Sequence, residues 1–104
     1  MQLNTTFRGL NRTDAAVASR TLKKQIGRLD RLADETTVLR AVVDGSSPET
    51  RVILSLSEHG EEFNAQSNDY ELSDAISTAC ERLRSQLVRH RNRRGAQRHR
   101  RSTE

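Results

Sequence analysis

The chain has 104 residues, of which 33% are hydrophobic and 3% aromatic, so it has room for one domain with a thin aliphatic core. No apolar run approaches the roughly 20 residues of a membrane-spanning helix, and the opening MQLNTTFRG lacks the profile of a signal peptide. The single cysteine, Cys80, excludes an internal disulfide. We therefore expect a soluble, cytoplasmic protein with no membrane partner.

Charge is distributed unevenly along the chain. Residues 1–81 hold 9 basic and 13 acidic residues, whereas residues 82–104 hold 9 arginines and one glutamate. A mildly acidic body with a strongly basic end is typical of proteins that bind nucleic acid or another acidic surface. The alternative is a basic tail that only aids solubility, but so strong a concentration of charge favours a polyanionic partner.

The first third of the chain predicts a strand followed by an amphipathic helix. Residues 2–8 alternate between apolar and polar with the period of two that is typical of a half-buried strand. Over residues 14–32, apolar side chains recur every three or four positions, and Asn11 or Thr13 is the expected N-cap. Gly27 lies inside this helix, at a cost of about 1 kcal/mol relative to alanine.

The middle of the chain predicts three strands in an antiparallel meander. Residues 36–45 and 51–57 are rich in β-branched and aliphatic side chains, and the segment DGSSPE between them holds the only proline. The segment EHGEE predicts a second tight turn, after which FNAQS, residues 63–67, forms the last strand. Polar residues at alternate positions predict that one face of the sheet is uncovered.

A second amphipathic helix follows the strands. Asn68 and Glu71 predict a capping box at its start, and Gly95 predicts its end, at about Asn92. Its apolar stripe consists of Leu72, Ala75, Ile76, Ala79, Leu83 and Leu87. We expect an ordered domain over residues 1–94 and a basic, disordered tail over residues 95–104. The predicted fold is α+β in the order β-α-β-β-β-α, with two helices packed on one face of a four-stranded sheet.

The sequence holds no motif with the spacing that catalysis or cofactor binding requires. The histidines His59, His90 and His99 lie in a turn, a basic helix and the tail, without a partner at metal-ligand spacing. Cys80 borders the apolar stripe and not an electropositive helix N-terminus, and the five glycines are too scattered for a phosphate-binding loop. We therefore expect no enzymatic activity, no metal, no cofactor and no small-molecule substrate.

The polar sides of the two helices predict a cationic surface. For any single residue the alternative is a solvated charge with no partner, but in the second helix no acidic residue lies between Arg82 and Arg94. Tyr70 is the only clear candidate for stacking on an unpaired base, which argues against single-strand recognition. The surface therefore favours the phosphates and shape of a structured RNA.

The opening MQLN, the order of elements and the segment LSDAISTACERLRSQLVRHR resemble the ribosome hibernation-promoting factor / ribosome-associated translation inhibitor family. The matching positions are Gln25-Ile26-Gly27-Arg28-Leu29, Ala75-Ile76, Arg82-Leu83, Gln86-Leu87 and Arg89-His90-Arg91. Ser73 departs from the family pattern, which usually has an aromatic residue there. The similarity covers residues 1–93, and the length resembles the short members, which lack the domain that long members use to pair two ribosomes.

The resemblance implies a non-enzymatic factor that binds the small ribosomal subunit. Such factors occupy the channel for mRNA and tRNA, and they silence and stabilise idle ribosomes. Off the ribosome we expect a monomer. The resemblance implies rRNA contacts at Arg8, Arg28, Arg82, Arg89 and Arg91, and helix geometry and charge add Lys23, Lys24, Arg31, Arg93 and Arg94.

Two other functions remain open from the residues. A general double-stranded-RNA-binding domain would need lysines in loops and at a helix N-terminus, whereas here the charge is concentrated at the far end of the last helix. A protein adaptor that docks on an acidic partner or a membrane surface would need apolar residues within the basic segment. Ala96 is the only such residue after Val88.

Overall fold

The computed structural model describes the backbone of residues 1–33 and 35–103 and the side chains of residues 1–31, 33 and 35–92. Its elements are β1 (Gln2–Arg8), α1 (Arg12–Leu29), a 3-10 turn (Asp30–Leu32), β2 (Val38–Asp44), β3 (Thr50–Glu58), β4 (Glu61–Asp69) and α2 (Leu72–Thr103). The α+β class and the β-α-β-β-β-α order that the sequence predicts are confirmed. No helix in the described part of the chain is long and apolar enough to cross a membrane.

The four strands form one sheet in the order β1-β2-β3-β4. β1 and β2 are parallel because α1 returns the chain between them, while β2, β3 and β4 form the predicted antiparallel meander. The connection from β3 to β4 is the two-residue turn His59-Gly60, with φ angles of 50° and 78°. Left-handed conformations at both positions match the type I′ turns that the twist of paired strands favours. Because this turn is so short, β4 begins at Glu61, two residues earlier than predicted.

The core lies between one face of the sheet and the two helices. The buried face consists of alternate strand residues, among them Leu39, Val52 and Leu54, which are all 0% exposed. The helices cover these with their apolar stripes, Ala18, Leu22, Ile26 and Leu29 from α1 and Ala75, Ile76, Ala79, Leu83 and Leu87 from α2. On the other face of the sheet, every described side chain is exposed or half-buried. We call it the uncovered sheet face, and it confirms the prediction from the polar alternate positions.

The ends of α1 differ by a few residues from those predicted. The Asn11 side-chain oxygen accepts the N–H of Asp14 at 2.8 Å, which confirms Asn11 as the N-cap and starts the helix at Arg12. At its other end the helix tightens into the 3-10 turn after Leu29, whereas the apolar spacing predicts regular helix to residue 32. Gly27 lies inside α1, as predicted.

The start of α2 also differs, because the predicted capping box does not form. Asn68 is part of β4, where it pairs with Arg51 of β3. The neighbouring Asp69 carboxylate accepts the N–H of Glu71 at 2.9 Å, and this turn directs the chain out of the sheet. Glu71 directly precedes α2, and its main-chain carbonyl accepts the N–H of Ala75.

The far end of α2 lies beyond its predicted position. The helix spans Leu72–Thr103 and so passes Gly95, at which the sequence predicts its end. A glycine costs about 1 kcal/mol inside a helix, which the strong helix formers around it can offset. Side chains beyond Asn92 lie outside the described residues, so the division into a domain over 1–94 and a disordered tail over 95–104 stays a prediction.

Candidate nucleic-acid interface

Polar contacts fix α2 to β4, the last strand of the sheet. The Arg82 guanidinium donates to the main-chain carbonyl of Gln66, and the Gln86 amide donates to that of Asn64 at 2.6 Å. The later helix residue, Gln86, contacts the earlier strand residue, Asn64, so the helix runs antiparallel to the strand. β4 is an edge strand, and these side chains satisfy carbonyls that strand pairing leaves free.

α1 lies beside α2 and runs in the same direction. As the crossover between the parallel strands β1 and β2, α1 is antiparallel to them, and β4 has the same direction as β2. The amide of Gln25 donates to the hydroxyl of Ser77 at 3.3 Å and joins the two helices. The C-terminal halves of both helices therefore lie towards the same end of the domain, where basic residues are favoured by the helix dipoles.

The solvent side of the helix pair is cationic. Six of the eight charged residues from Arg12 to Arg31 are basic, and after Glu81 the described part of α2 holds four arginines and no carboxylate. Side chains of the core-facing stripes fix the orientation of both helices, so these charges are held on a rigid support. We use the term helical cationic surface for its exposed members, Arg20, Lys23, Lys24, Arg28, Arg31, Arg84 and Arg89.

Two members of this surface were not among the predicted RNA contacts. Arg20 lines the groove between the helices with Lys24 of α1 and Ser73 of α2. Arg84 is exposed on α2 and borders a shallow depression that it shares with Arg89. In the sequence, Arg20 and Arg84 occupy positions typical of any solvated helix residue. Only the packing of the helices shows that they lie beside the predicted contacts Lys24 and Arg89.

Two of the predicted RNA contacts already have partners on other elements of the domain. Arg82 donates to the Gln66 carbonyl, and Arg91 Nη2 lies 3.4 Å from Glu58 Oε1. The Glu58 carboxylate also accepts the Thr37 hydroxyl at 2.9 Å, and its side chain is only 9% exposed. Removing Arg91 would leave a nearly buried carboxylate without its counterion, which is strongly unfavourable.

Arg8 lies on a different side of the molecule from the helical cationic surface. It follows Phe7, which packs against the core, so the alternation of β1 places Arg8 on the uncovered sheet face. Its nearest charged partner is Asp44. Hydrogen bonds from Ser46, and then the guanidinium groups of Arg8 and Arg51, hold the pKa of the Asp44 carboxyl below its usual range. The predicted contacts thus occupy two opposite faces, and the side chains of Arg93 and Arg94 lie outside the described residues.

Among the described residues, the side chains with catalytic potential lie apart from one another. Cys80 is buried, and desolvation raises the pKa of its thiol to about 11, which disfavours the reactive thiolate. His90 faces Glu61 and Phe63 on the hairpin that joins β3 and β4. No group of three or more histidine, cysteine or acidic side chains in the described part of the chain could hold a metal ion.

Known proteins share both the sequence pattern and the fold. Residues 3–95 match the family described as sigma 54 modulation protein / S30EA ribosomal protein. The N-terminal domain of Protein Y from Thermus thermophilus superimposes with a TM-score of 0.73 at 25% identity, over 86% of this chain and 99% of that one. A ribosomal subunit interface protein from Coxiella burnetii shares the fold, with a TM-score of 0.70 at 16% identity, over 88% of this chain and 99% of that one.

No curated protein matches the chain. The family match nevertheless covers most of the chain, and the solved structures repeat the same arrangement of sheet and helices. The protein therefore belongs to the sigma 54 modulation protein / S30EA ribosomal protein family, which is the hibernation-promoting factor family that its sequence resembles.

Proposed function

We propose that this protein binds the small ribosomal subunit, occupies the channel used by mRNA and tRNA, and thereby silences and stabilises idle ribosomes. It acts as a monomeric, non-enzymatic factor in the cytoplasm and needs no cofactor. Membership of a ribosome-associated family supports the class of partner. The names of the similar structures, Protein Y and a ribosomal subunit interface protein, support the same class.

The observation that carries the proposal is the helical cationic surface. Lys24 and Arg28 are one helical turn apart on α1, so about 6 Å of helix axis separates them. Arg84 and Arg89 continue the positive charge on the adjacent helix. Because a shared core holds both helices, several phosphates can be neutralised at once without first ordering the support.

We propose contacts to rRNA phosphates from Lys23, Lys24, Arg28, Arg31 and Arg89, with Arg93 and Arg94 extending the same row. Arg82 and Arg91 can take part without losing their internal partners. A guanidinium has five N–H donors, and the Gln66 carbonyl or the Glu58 carboxylate uses only part of them. Arg8 would make a separate RNA contact at the end of β1, beside Asp44 and four positions along the strands from Arg40.

Co-sedimentation with separated ribosomal subunits tests the proposal. The wild-type chain should bind the small subunit with saturation at one copy and should not bind the large subunit, at both low and moderate salt. Subunits that already carry mRNA and tRNA should bind it much more weakly, because the channel is occupied. Equal binding to both subunits that disappears at moderate salt would instead indicate a general binder of double-stranded RNA and would overturn the proposal.

Charge reversal then locates the interface. The pair Lys24→Glu and Arg28→Glu should abolish binding, because both side chains are exposed and neither supports the core. The matched pair Arg12→Glu and Arg40→Glu changes net charge equally but lies at the start of α1 and on the uncovered sheet face. Loss of binding in this second pair, with binding retained in the first, would place the interface elsewhere.

A further inference from the structure

We propose that Glu58 and Glu61 are positioning residues for RNA binding, because together they hold the basic end of α2 in one orientation. The inference rests on the proposed function and assigns a role in RNA binding to two acidic residues. It leads to a prediction opposite to that of simple charge attraction. Neutralising these two carboxylates should weaken binding to a polyanion, even though it makes the protein more positive.

Residues 88–92 of α2, the last whose side chains are described, contact the hairpin between β3 and β4. Leu87, at 1% exposure, is the last fully buried residue in the described part of the helix, and Val88 is already 36% exposed. Among the described side chains after it, those of His90 and Arg91 form ion pairs with other elements, and both partners lie on this hairpin. Packing against the core therefore ends at Leu87, before the most basic part of α2. Beyond it, polar contacts hold residues 88–92 against the domain.

His90 contributes two of these contacts. Its Nε2 lies 3.0 Å from the Glu61 carboxylate, and its ring meets Phe63 edge-on at a centroid distance of 5.3 Å. Phe63 is half-buried and packs against the core, so the ring of His90 is held between a carboxylate and a fixed aromatic surface. This arrangement restricts rotation of the helix end about its own axis.

Arg91 contributes the third contact, to the Glu58 carboxylate at 3.4 Å. Thr37 donates to the same carboxylate oxygen at 2.9 Å, and Thr37 is itself fully buried. Glu58 is therefore fixed from the side of the sheet before Arg91 meets it. The ion pair therefore connects α2 to a carboxylate that the sheet side of the domain already holds in place.

The contacts with α2 also stabilise Glu58 and Glu61 themselves. They lie directly opposite each other across the turn, on the face that the helices cover. Like charges at opposed positions of paired strands destabilise each other. The positive charge of Arg91 beside Glu58 offsets this repulsion, so the hairpin and residues 88–92 of α2 stabilise one another. The neighbouring Glu62 points to the uncovered sheet face, away from α2, and shares none of these contacts.

A fixed helix end matters because RNA binding is the sum of several simultaneous phosphate contacts. Arg89 and Arg91 lie at the attachment point, and the sequence continues with Arg93, Arg94, Arg98, Arg100 and Arg101. Each long side chain or segment that must be ordered on binding reduces the net affinity. With His90 and Arg91 already held by the hairpin, the ordering of residues 88–92 is complete before the protein meets RNA.

The test compares two double variants with the same charge change. In the clamp variant, Glu58→Gln and Glu61→Gln remove both contacts to α2. In the control variant, Glu49→Gln and Glu62→Gln remove two exposed carboxylates that make no ion pair or side-chain hydrogen bond among the described residues. Affinity for the small subunit is measured at several salt concentrations, at a temperature where thermal melting shows both variants fully folded.

The clamp variant should bind about tenfold more weakly than wild type, because two or more arginine side chains are no longer pre-ordered. The slope of log affinity against log salt should also become shallower by roughly 0.7 to 0.9 for each phosphate that the variant no longer neutralises. The control variant should bind as tightly as wild type or slightly more tightly. Amide hydrogen exchange at residues 88–92 should accelerate in the clamp variant alone, while residues 76–87 keep their protection.

Equal or tighter binding of the clamp variant, or unchanged exchange at residues 88–92, would overturn the inference and make Glu58 and Glu61 ordinary ion-pair partners. If instead the wild-type chain failed to bind the small subunit, the proposed function would be wrong. In that case the exchange measurement alone would decide whether the hairpin holds the helix. The two failures are therefore distinguishable.

Discussion

Neutralising Lys24 and Arg28 of the helical cationic surface should change the salt dependence of binding by a predictable amount. The surface proposed to meet RNA includes five exposed cations whose side chains the structure describes, Lys23, Lys24, Arg28, Arg31 and Arg89. With roughly −0.8 per phosphate contact, the slope of log affinity against log salt should be shallower by about 1.6 in the double variant Lys24→Gln and Arg28→Gln than in wild type.

These slopes translate into a large measurable difference. Between about 50 and 200 mM monovalent salt, the fall in affinity should be about ninefold smaller for the double variant than for wild type. The variant should also be the weaker binder at every salt concentration in this range. The assay is equilibrium binding of labelled protein to purified small subunits at constant magnesium concentration.

A second double variant, Arg12→Gln and Arg40→Gln, provides the control. It removes the same charge from the start of α1 and from the uncovered sheet face, so its slope should equal that of wild type. The reasoning is refuted if the first variant keeps the wild-type slope. It is equally refuted if both variants flatten the slope by the same amount, because net charge alone would then explain the effect.

The remaining predictions concern stability and reactivity. Gly27→Ala should stabilise the protein by about 1 kcal/mol, because Gly27 is helical and nothing lies within 4 Å of an added Cβ; an unchanged melting temperature would contradict this. Gly9→Ala should destabilise by about 1–3 kcal/mol, because φ is +63° and the new Cβ would lie 2.7 Å from the Ser46 nitrogen, and denaturant unfolding measures the loss. Leu83→Ala should cost about 2–5 kcal/mol in the same assay, since Leu83 is 0% exposed, and a cost under about 1 kcal/mol would show that the core is not packed as described. With its pKa raised to about 11, the Cys80 thiol should react about 100-fold more slowly with a thiol reagent at pH 8 than in denaturant, and equal rates would disprove its burial.

Much of the fold could be predicted because periodicity is a local property of the sequence. A period of two over Gln2–Arg8 and a period near 3.6 over α1 identify the element type without knowledge of any distant residue. Element ends were less accurate, because they depend on which polar side chain caps a free main-chain group. At the start of α2 the expected capping residue Asn68 belongs to the strand ladder, and the helix begins only at Leu72.

The candidate site could be predicted as a group of residues but not as an arrangement. The concentration of arginines after residue 81 indicates a polyanionic partner, and the scarcity of aromatic side chains argues against single-strand recognition. Which face each cation occupies depends on the sheet register and on helix packing. Arg8 lies on the uncovered sheet face, whereas Arg28 belongs to the helical cationic surface.

The sequence by itself determined the class of fold, the amphipathic faces of both helices and the sign of the partner's charge, because these follow from side-chain type and spacing. Only the tertiary structure decided which arginines have internal partners. Arg82 meets the Gln66 carbonyl from 16 positions away, and Arg91 meets Glu58 from 33 positions away. No local pattern encodes such pairs, because they form only after the strands have paired and α2 has packed back across them. The same folding step separates the arginines that contact other elements of the domain from those that only lie on its surface.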